Sequence, residues 1–259
     1  MAGSLIERTL GVLEALSEDA SGLPLLVIAE RLGIPKSAAH RICNELIRLG
    51  HVRQDPMSQR YQLTTRLVAM GFRYLASTGT SDLIQPILDR LAEQSGELVR
   101  LSVIEGDHLT WIAKAQGARS GLRYDPDMGK AAPLFCTASG HAWLAALPPE
   151  EALTLLERHG LETDHPVGPQ APRSREEVIK HLEWTRERGY SWVSDSMGPG
   201  TTAMAALIRH PVDSHPQGVL SIAGPSVRLD AGRVEALAPA LLQAAQELSQ
   251  VAPTSPLFT

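Results

Sequence analysis

Ser37, His40, Arg41 and Asn44 recur at helical spacing inside a cation-rich stretch, and their side chains are of the kind that read the edges of base pairs. Arginine pairs with guanine and asparagine with adenine, so Arg41 and Asn44 are the candidate base readers, with Ser37 and His40 beside them. Lys36, Arg48, Arg53, Ser58, Arg60 and Tyr61 are the candidates for phosphate and sugar, contacts that position a protein without carrying sequence information. A second set lies further along: Tyr124, Met128, Thr137, Ala138, Ser139, Met197, Thr201, Thr202 and Ser221. Hydroxyls and small residues among apolar walls are the materials of a small-molecule pocket. In Leu-Phe-Cys-Thr-Ala-Ser-Gly at 134–140, an apolar segment leads through small residues into a helix. The backbone N–H groups of Ala138, Ser139 and Gly140 are expected to point at an anion there, and a charged acceptor takes the stronger hydrogen bonds. Plainer readings stand beside both sets. A charged stripe is often only a solvated face, Ser139 is equally a helix N-cap, and Gly198-Pro-Gly200 is equally a turn.

The first set needs a helix in the open. The spacing predicts one helix, a turn at Gly33, a second helix, then a hairpin of strands at 51–54 and 59–63 around Asp55-Pro-Met-Ser58. At about 100° per residue, Ser37, His40, Arg41, Asn44 and Arg48 share one face of the second helix, and Ala39, Ile42, Leu46 and Leu49 lie opposite. Pro35 suits the first turn, and Gly50 suits a left-handed C-terminal position. A preceding helix at 4–17, with Leu5, Ile6, Leu10, Leu13 and Leu16, is expected to close the module. Together these predict a winged helix-turn-helix domain, shaped for a major groove with the wing on neighbouring phosphates.

Helical spacing resumes at 64–77, Thr-Gly-Thr at 78–80 interrupts it, and a further helix reaches to 95. Short runs LVRLSVI, HLTWIAKAQ and RSGLRY read as antiparallel strands. Helices are expected at 139–147, 149–158 and 174–188, strands at 190–194, 202–208 and 218–223, and a last helix at 231–251. That order describes an α+β domain on an antiparallel sheet. The expected organisation is a DNA-binding domain at 1–63, a linker helix at 64–80, the α+β domain at 81–251 and a tail at 252–259.

Charge separates the two parts. Residues 31–75 hold eight Lys or Arg against two acids, whereas the whole chain of 259 residues carries a formal charge of −5. A cationic field confined to one region suits phosphate neutralisation without indiscriminate binding elsewhere. No run approaches the roughly 18 apolar residues of a membrane span, and Glu7, Arg8 and Glu14 interrupt any signal-peptide core, so a cytoplasmic protein is expected. Two cysteines, Cys43 and Cys136, are too few for a disulfide framework. No Gly-Lys-Ser/Thr loop and no GxGxxG call for a cofactor. His159, Asp164 and His165 lack the paired spacing of a structured metal site, so neither metal nor cofactor is expected. Two other classes remain open: an enzyme with Cys136 as nucleophile and His141 as base, and an adaptor using the cationic face for an acidic protein.

Motifs at both ends carry a resemblance. ERTLGVLEAL, GIPKSAAHRICNELIRLGHV and RYQLT in the N-terminal part, then PLFCTASGHAWLAALP, RERGY, GPGTTAMAA and VLSIAGPSVRL, resemble in ordered spacing the IclR family of bacterial transcriptional regulators. The resemblance implies a winged helix-turn-helix domain joined to a GAF-like effector-binding domain. It implies homodimers, often dimers of dimers, on palindromic double-stranded operators. It also implies a regulator of catabolic genes, repression being the expected direction, that answers to an organic or aromatic acid or a derivative. Two positions depart from the pattern: Ala203 stands where relatives often have Cys, and Ala223 where they often have Ser. Both remove polar groups, which allows a ligand larger or less charged than a two- or three-carbon keto acid, such as an aromatic acid or an acid derivative. Trp111 and Trp192 are further candidates whose facing the sequence leaves open.

Overall fold

Ser4 and Glu7 close a capping box at the start of α1 (Leu5–Ser17), each side chain reaching the other's backbone N–H. In this computed structural model residues 4–77, 81–126, 128–163, 166–255 and 258 are described. They form two units, Met1–Ser77 and Thr78–Thr259.

In the first unit α1 buries Val12, Ala15 and Leu16 against α2 (Leu25–Arg31) and α3 (Lys36–Arg48). The expected apolar stripe of α1 is only half used: Leu5, Ile6 and Leu10 are 59%, 72% and 52% exposed, because only the second half of the helix packs on the module. Gly33, with φ +59°, makes the turn between α2 and α3, and Ile34 N–H reaches back to the Ala29 carbonyl. Ala39, Ile42, Cys43 and Leu46 of α3 are buried. Leu49, expected on that face, lies past the last helical turn and is 43% exposed. Gly50 at φ +79° ends the helix in the left-handed conformation.

The wing is β1 (Val52–Gln54) paired antiparallel with β2 (Tyr61–Leu63), Val52 opposite Leu63. Both strands are shorter than the spacing suggests, since the turn consumes residues 55–60. Asp55 N–H donates to the Arg60 carbonyl at 2.8 Å, and Gln59 N–H to the Asp55 carbonyl at 2.9 Å. Leu23 and Tyr61 exchange both backbone hydrogen bonds, at 3.0 and 2.9 Å, which ties the α1–α2 loop to the wing. After it comes α4 (Thr65–Ser77).

The second unit is built on a five-stranded antiparallel sheet of order β4-β3-β7-β6-β5. In chain order its elements are α5 (Ser81–Ser95), β3 (Leu98–Glu105), β4 (His108–Gln116), α6 (Ala138–Ala146), α7 (Pro149–His159), α8 (Arg175–Arg188), β5 (Ser191–Ser194), β6 (Thr201–Arg209), β7 (Pro216–Pro225) and α9 (Ala231–Val251). Strand alternation sends Val99, Leu101, Met204, Ala206, Leu220 and Ile222 toward α5 and α9. It sends Trp111, Val193, Ala205 and Val219 toward α6, α7 and α8. The sheet is therefore covered on both faces, and its central strands are mostly buried on both sides.

One expected strand is absent. RSGLRY at 119–124 is irregular: Gly121 has φ +76° and Leu122 is 65% exposed. The outer edge of β4 is taken by residues 129–132 instead, with Gly129 N–H donating to the Trp111 carbonyl at 3.0 Å and Ala132 N–H to the Leu109 carbonyl at 2.7 Å. Glycine at the centre of the segment weakens it as a strand, and the paired edge has no vacancy for it.

Candidate nucleic-acid interface and ligand pocket

Ser37, His40, Arg41 and Asn44 all lie on the exposed face of α3. Arg41 and Lys36 make no ion pair among the described residues. Asn44 Nδ2 lies 3.4 Å from the imidazole of His40 one turn earlier, so these two side chains stand together. Pro35 is the N-cap of α3 rather than its first helical residue and supplies no side-chain cap. The first-turn N–H groups at Lys36 and Ser37 thus face outward uncapped, the arrangement that suits a phosphate.

The proposed backbone set divides on inspection. Arg53 and Ser58 are exposed on the wing, Arg53 Nε donating to Gln62 Oε1 at 3.1 Å. Ser58 is held by Asp55 Oδ1, which accepts its N–H at 2.7 Å and its hydroxyl at 2.8 Å. Arg48 is exposed, but its guanidinium pairs with Glu45 on the same helix, and that pair offsets its charge. Arg60 turns inward, donating to the Gly22 carbonyl at 2.8 Å. Tyr61 is corrected outright: it is 2% exposed in the core of the winged unit, where strand alternation turns it toward Cys43 and α3. Its ring packs the wing and does not reach a sugar or phosphate.

In the second unit, a small cleft opens where α6 begins over the sheet. Tyr124, Thr137, Ala138, Ser139, Met197, Thr201, Thr202 and Ser221 all line it. Met128 does not; it packs against the core beneath α6, and its assignment as a wall is corrected. Arg100, Val193, Ala203 and Ala223 complete the lining. Ala203 and Ala223 were visible as departures from a motif, and Arg100 left one signal, a cation between the apolar residues Val99 and Leu101 of β3. Trp111 and Trp192 face opposite ways: Trp111 belongs to the pocket side, Trp192 packs against the core shared with α9.

Thr137, not Ser139, caps α6: its Oγ1 accepts the Gly140 N–H at 2.9 Å and donates to the Pro133 carbonyl at 2.7 Å. The Gly140 N–H is thereby consumed and is not free for an anion, which leaves those of Ala138 and Ser139. Glycine is required at 140, since a Cβ would lie 2.3 Å from the Leu134 carbonyl oxygen. Other hydroxyls are also engaged: Thr201 donates to the Gly198 carbonyl at 2.6 Å, and Thr202 lies 3.0 Å from both Ser194 Oγ and Ser226 Oγ.

Cys136 and His141 do not form a pair. The thiol meets Met197 Sδ at 3.8 Å, and burial pushes its pKa up to about 12. His141 is hydrogen-bonded through Nε2 to the Phe135 carbonyl at 2.6 Å, and burial pulls it down to about 4. A protonated thiol and a neutral imidazole with separate partners lack the arrangement of an activated nucleophile. His159 meets His108 edge-on at 5.3 Å; Asp164 and His165 lie outside the described residues. A group the sequence did not single out sits between β6 and β7. There Asp213 Oδ1 lies 2.9 Å from His210 Nδ1 and 2.6 Å from His215 Nδ1, and these bonds, that from His215 foremost, draw the carboxyl down to about 2.

A winged helix-turn-helix unit followed by a separate sheet domain with a polar-lined cleft defines a class: DNA-binding regulators. Family models agree, the IclR helix-turn-helix domain over residues 5–56 and the C-terminal domain of the bacterial transcriptional regulator IclR over residues 72–250. The chain belongs to the IclR family of transcriptional regulators. It is 30% identical to the acetate operon repressor of Salmonella typhimurium over 247 residues, covering 94% of this chain and 88% of that protein. An IclR regulator structure from Alicyclobacillus acidocaldarius superposes with a TM-score of 0.81 at 26% identity, covering 95% of this chain and 97% of that one. An IclR homologue from Microbacterium hydrocarbonoxydans, solved with 4-hydroxybenzoate, shares the fold with a TM-score of 0.76 at 22% identity, covering 95% of this chain and 98% of that one. No helix among the described residues is long and apolar enough to cross a membrane.

Proposed function

We propose that the protein acts in the cytoplasm as a repressor that grips a palindromic operator as a homodimer and lets go, or holds on, according to a small organic acid in the pocket. The observation that carries the proposal is the exposed polar face of α3, Ser37, His40, Arg41 and Asn44, beside an exposed wing. On this reading Arg41 takes a guanine and Asn44 an adenine in the major groove, and Lys36, Arg53 and Ser58 set the register on phosphates. Arg48 and Arg60 contribute after exchanging their present partners or not at all. A linker at 64–80, which carries α4 (Thr65–Ser77), joins a DNA-binding domain at 1–63 to a sensor at 81–251. The names of the relatives support repression, and the 4-hydroxybenzoate bound to one homologue supports an acid as effector. Control follows if the acid prefers one arrangement of the paired sensors, since a ligand shifts an equilibrium only by its differential affinity.

The test is a selection from random duplexes, followed by a salt titration on the selected site. Binding is expected to fall linearly with salt on logarithmic axes. Arg41→Ala is expected to relax the preference at one base pair per half-site, a loss of about 1–3 kcal/mol in discrimination. An unchanged base preference in that variant excludes Arg41 as a reader.

A further inference from the structure

Arg100 is a buried cation with no counter-charge among the described residues. It sits mid-strand on β3, 6% exposed, with its side chain on the pocket side of the sheet. The guanidinium carbon lies 4.0 Å from the centroid of the Trp111 ring and 6.0 Å from that of Tyr124, so aromatic faces hold it in place. Its Nε is buried and has no acceptor. Among the described residues no carboxylate pairs with it. Glu97, the acid on the same strand entry, is committed to Arg228 at 2.6 and 2.8 Å. Burial lowers the pKa of Arg100, and the Tyr124 side chain, which interacts with it, opposes that shift.

The remaining polar groups of the cavity are mostly spent on the protein itself. Thr137, Thr201, Thr202 and Ser221 each have a hydrogen-bond partner, the last donating to the Arg100 carbonyl at 3.4 Å. Buried charge unmatched inside a fold is costly, and a planar guanidinium is suited to a carboxylate because two parallel N–H groups meet its two oxygens. We propose that Arg100 is the anion receptor of the pocket and that the effector is a compact monocarboxylate, its acid group on Arg100 and its body among Val193, Met197, Ala203 and Ala223. The N–H groups of Ala138 and Ser139 at the start of α6 line the same cavity and add to the preference for negative charge. The loss of polarity at Ala203 and Ala223 fits this division, one end of the ligand charged and the other apolar.

This inference rests on the pocket's being the effector site, and the experiment separates the two. Melting temperatures of the full chain are measured with matched pairs of acid and amide: propionate and propionamide, pyruvate and pyruvamide, benzoate and benzamide. At least one acid at millimolar concentration is expected to raise the melting temperature while its amide does not. Arg100→Met is expected to weaken that acid roughly 10- to 100-fold and, without ligand, to melt no lower than the wild type because a buried unpaired charge is removed. Arg100→Lys keeps the charge without the fork and is expected to fall between. Amides that match their acids, Arg100→Met binding the acid as well as the wild type, or no response to any acid, overturns the assignment of Arg100. If an amide shifts both melting temperature and operator affinity, the effector site stands and the carboxylate receptor falls; if the acids bind through Arg100 without changing operator affinity, the reverse holds.

Discussion

His141 shows how a single side chain couples the sensor to pH. It is wholly buried, donates through Nε2 to the Phe135 carbonyl, and rests against His181 with 4.9 Å between ring centroids. Burial holds its pKa down at about 4. The unfolded chain takes up the proton below about pH 6.5, the folded chain only near the depressed value, so its stabilising contribution is full above that pH and is lost as the pH falls. His181 is shifted the same way by burial and adds to the slope. Between about pH 7 and pH 5 the loss through His141 is about 2 kcal/mol. Denaturant titrations at both pH values check this, and His141→Gln is expected to lose most of the difference; a variant as acid-sensitive as the wild type refutes it. Arg41 and Arg100 belong to the same scale. Both are arginines without an ion pair among the described residues, one in solvent and one in the core, and only the first was recognisable as functional from spacing. The second needed the knowledge that its strand is covered on both faces.

Among the elements, the wing depends on one carboxylate. Asp55 Oδ1 accepts from the N–H of Met57 at 3.0 Å, and from the N–H and hydroxyl of Ser58 at 2.7 and 2.8 Å. Those bonds, led by the Ser58 N–H, draw the Asp55 pKa down and shape the turn that presents Arg53 and Ser58. Asp55→Ala is expected to loosen the wing, so operator affinity falls several-fold while the base preference selected by α3 is unchanged. Binding curves and site selection on the variant measure the two separately, and an altered preference would mean that the turn itself reads sequence. Helices were legible because their periods run long. Every helix expected from spacing is present, and α5 and α9 match their expected bounds. The segment at 119–124 misled because six residues of strand-like composition say nothing about whether a sheet edge is open to receive them.

At the scale of the whole molecule, the first unit leaves a good deal of apolar surface uncovered. Ile6 on α1 and Phe72 on α4 are 72% and 68% exposed, and Leu5, Leu10, Val68 and Met70 add to them. A second copy is the occupant that the operator model requires, because a two-fold protein matches a two-fold site. The wild type is expected to be a dimer or a dimer of dimers by light scattering, and Ile6→Glu with Phe72→Glu to shift toward monomer and lose affinity for the full palindrome more than for a half-site. A wild type that stays monomeric at micromolar concentration removes the dimer from the proposal. Charge is distributed at this scale too: eight cations against two acids in 31–75, within a chain of net charge −5, keep phosphate attraction at one end.

The sequence alone determined the two-part organisation, the exposed face of α3 and nearly all of the pocket wall. Helical period and motif order are local properties, written in residues that stand close along the chain. Tertiary structure decided the rest. It buried Tyr61 in the winged core, moved Met128 off the pocket, made Thr137 the cap that takes the Gly140 N–H, and left the Arg100 Nε buried with no acceptor among the described residues. Each of those outcomes depends on which distant residue arrives as neighbour. Burial and hydrogen-bond partnership are set by packing across the fold, not by spacing along it.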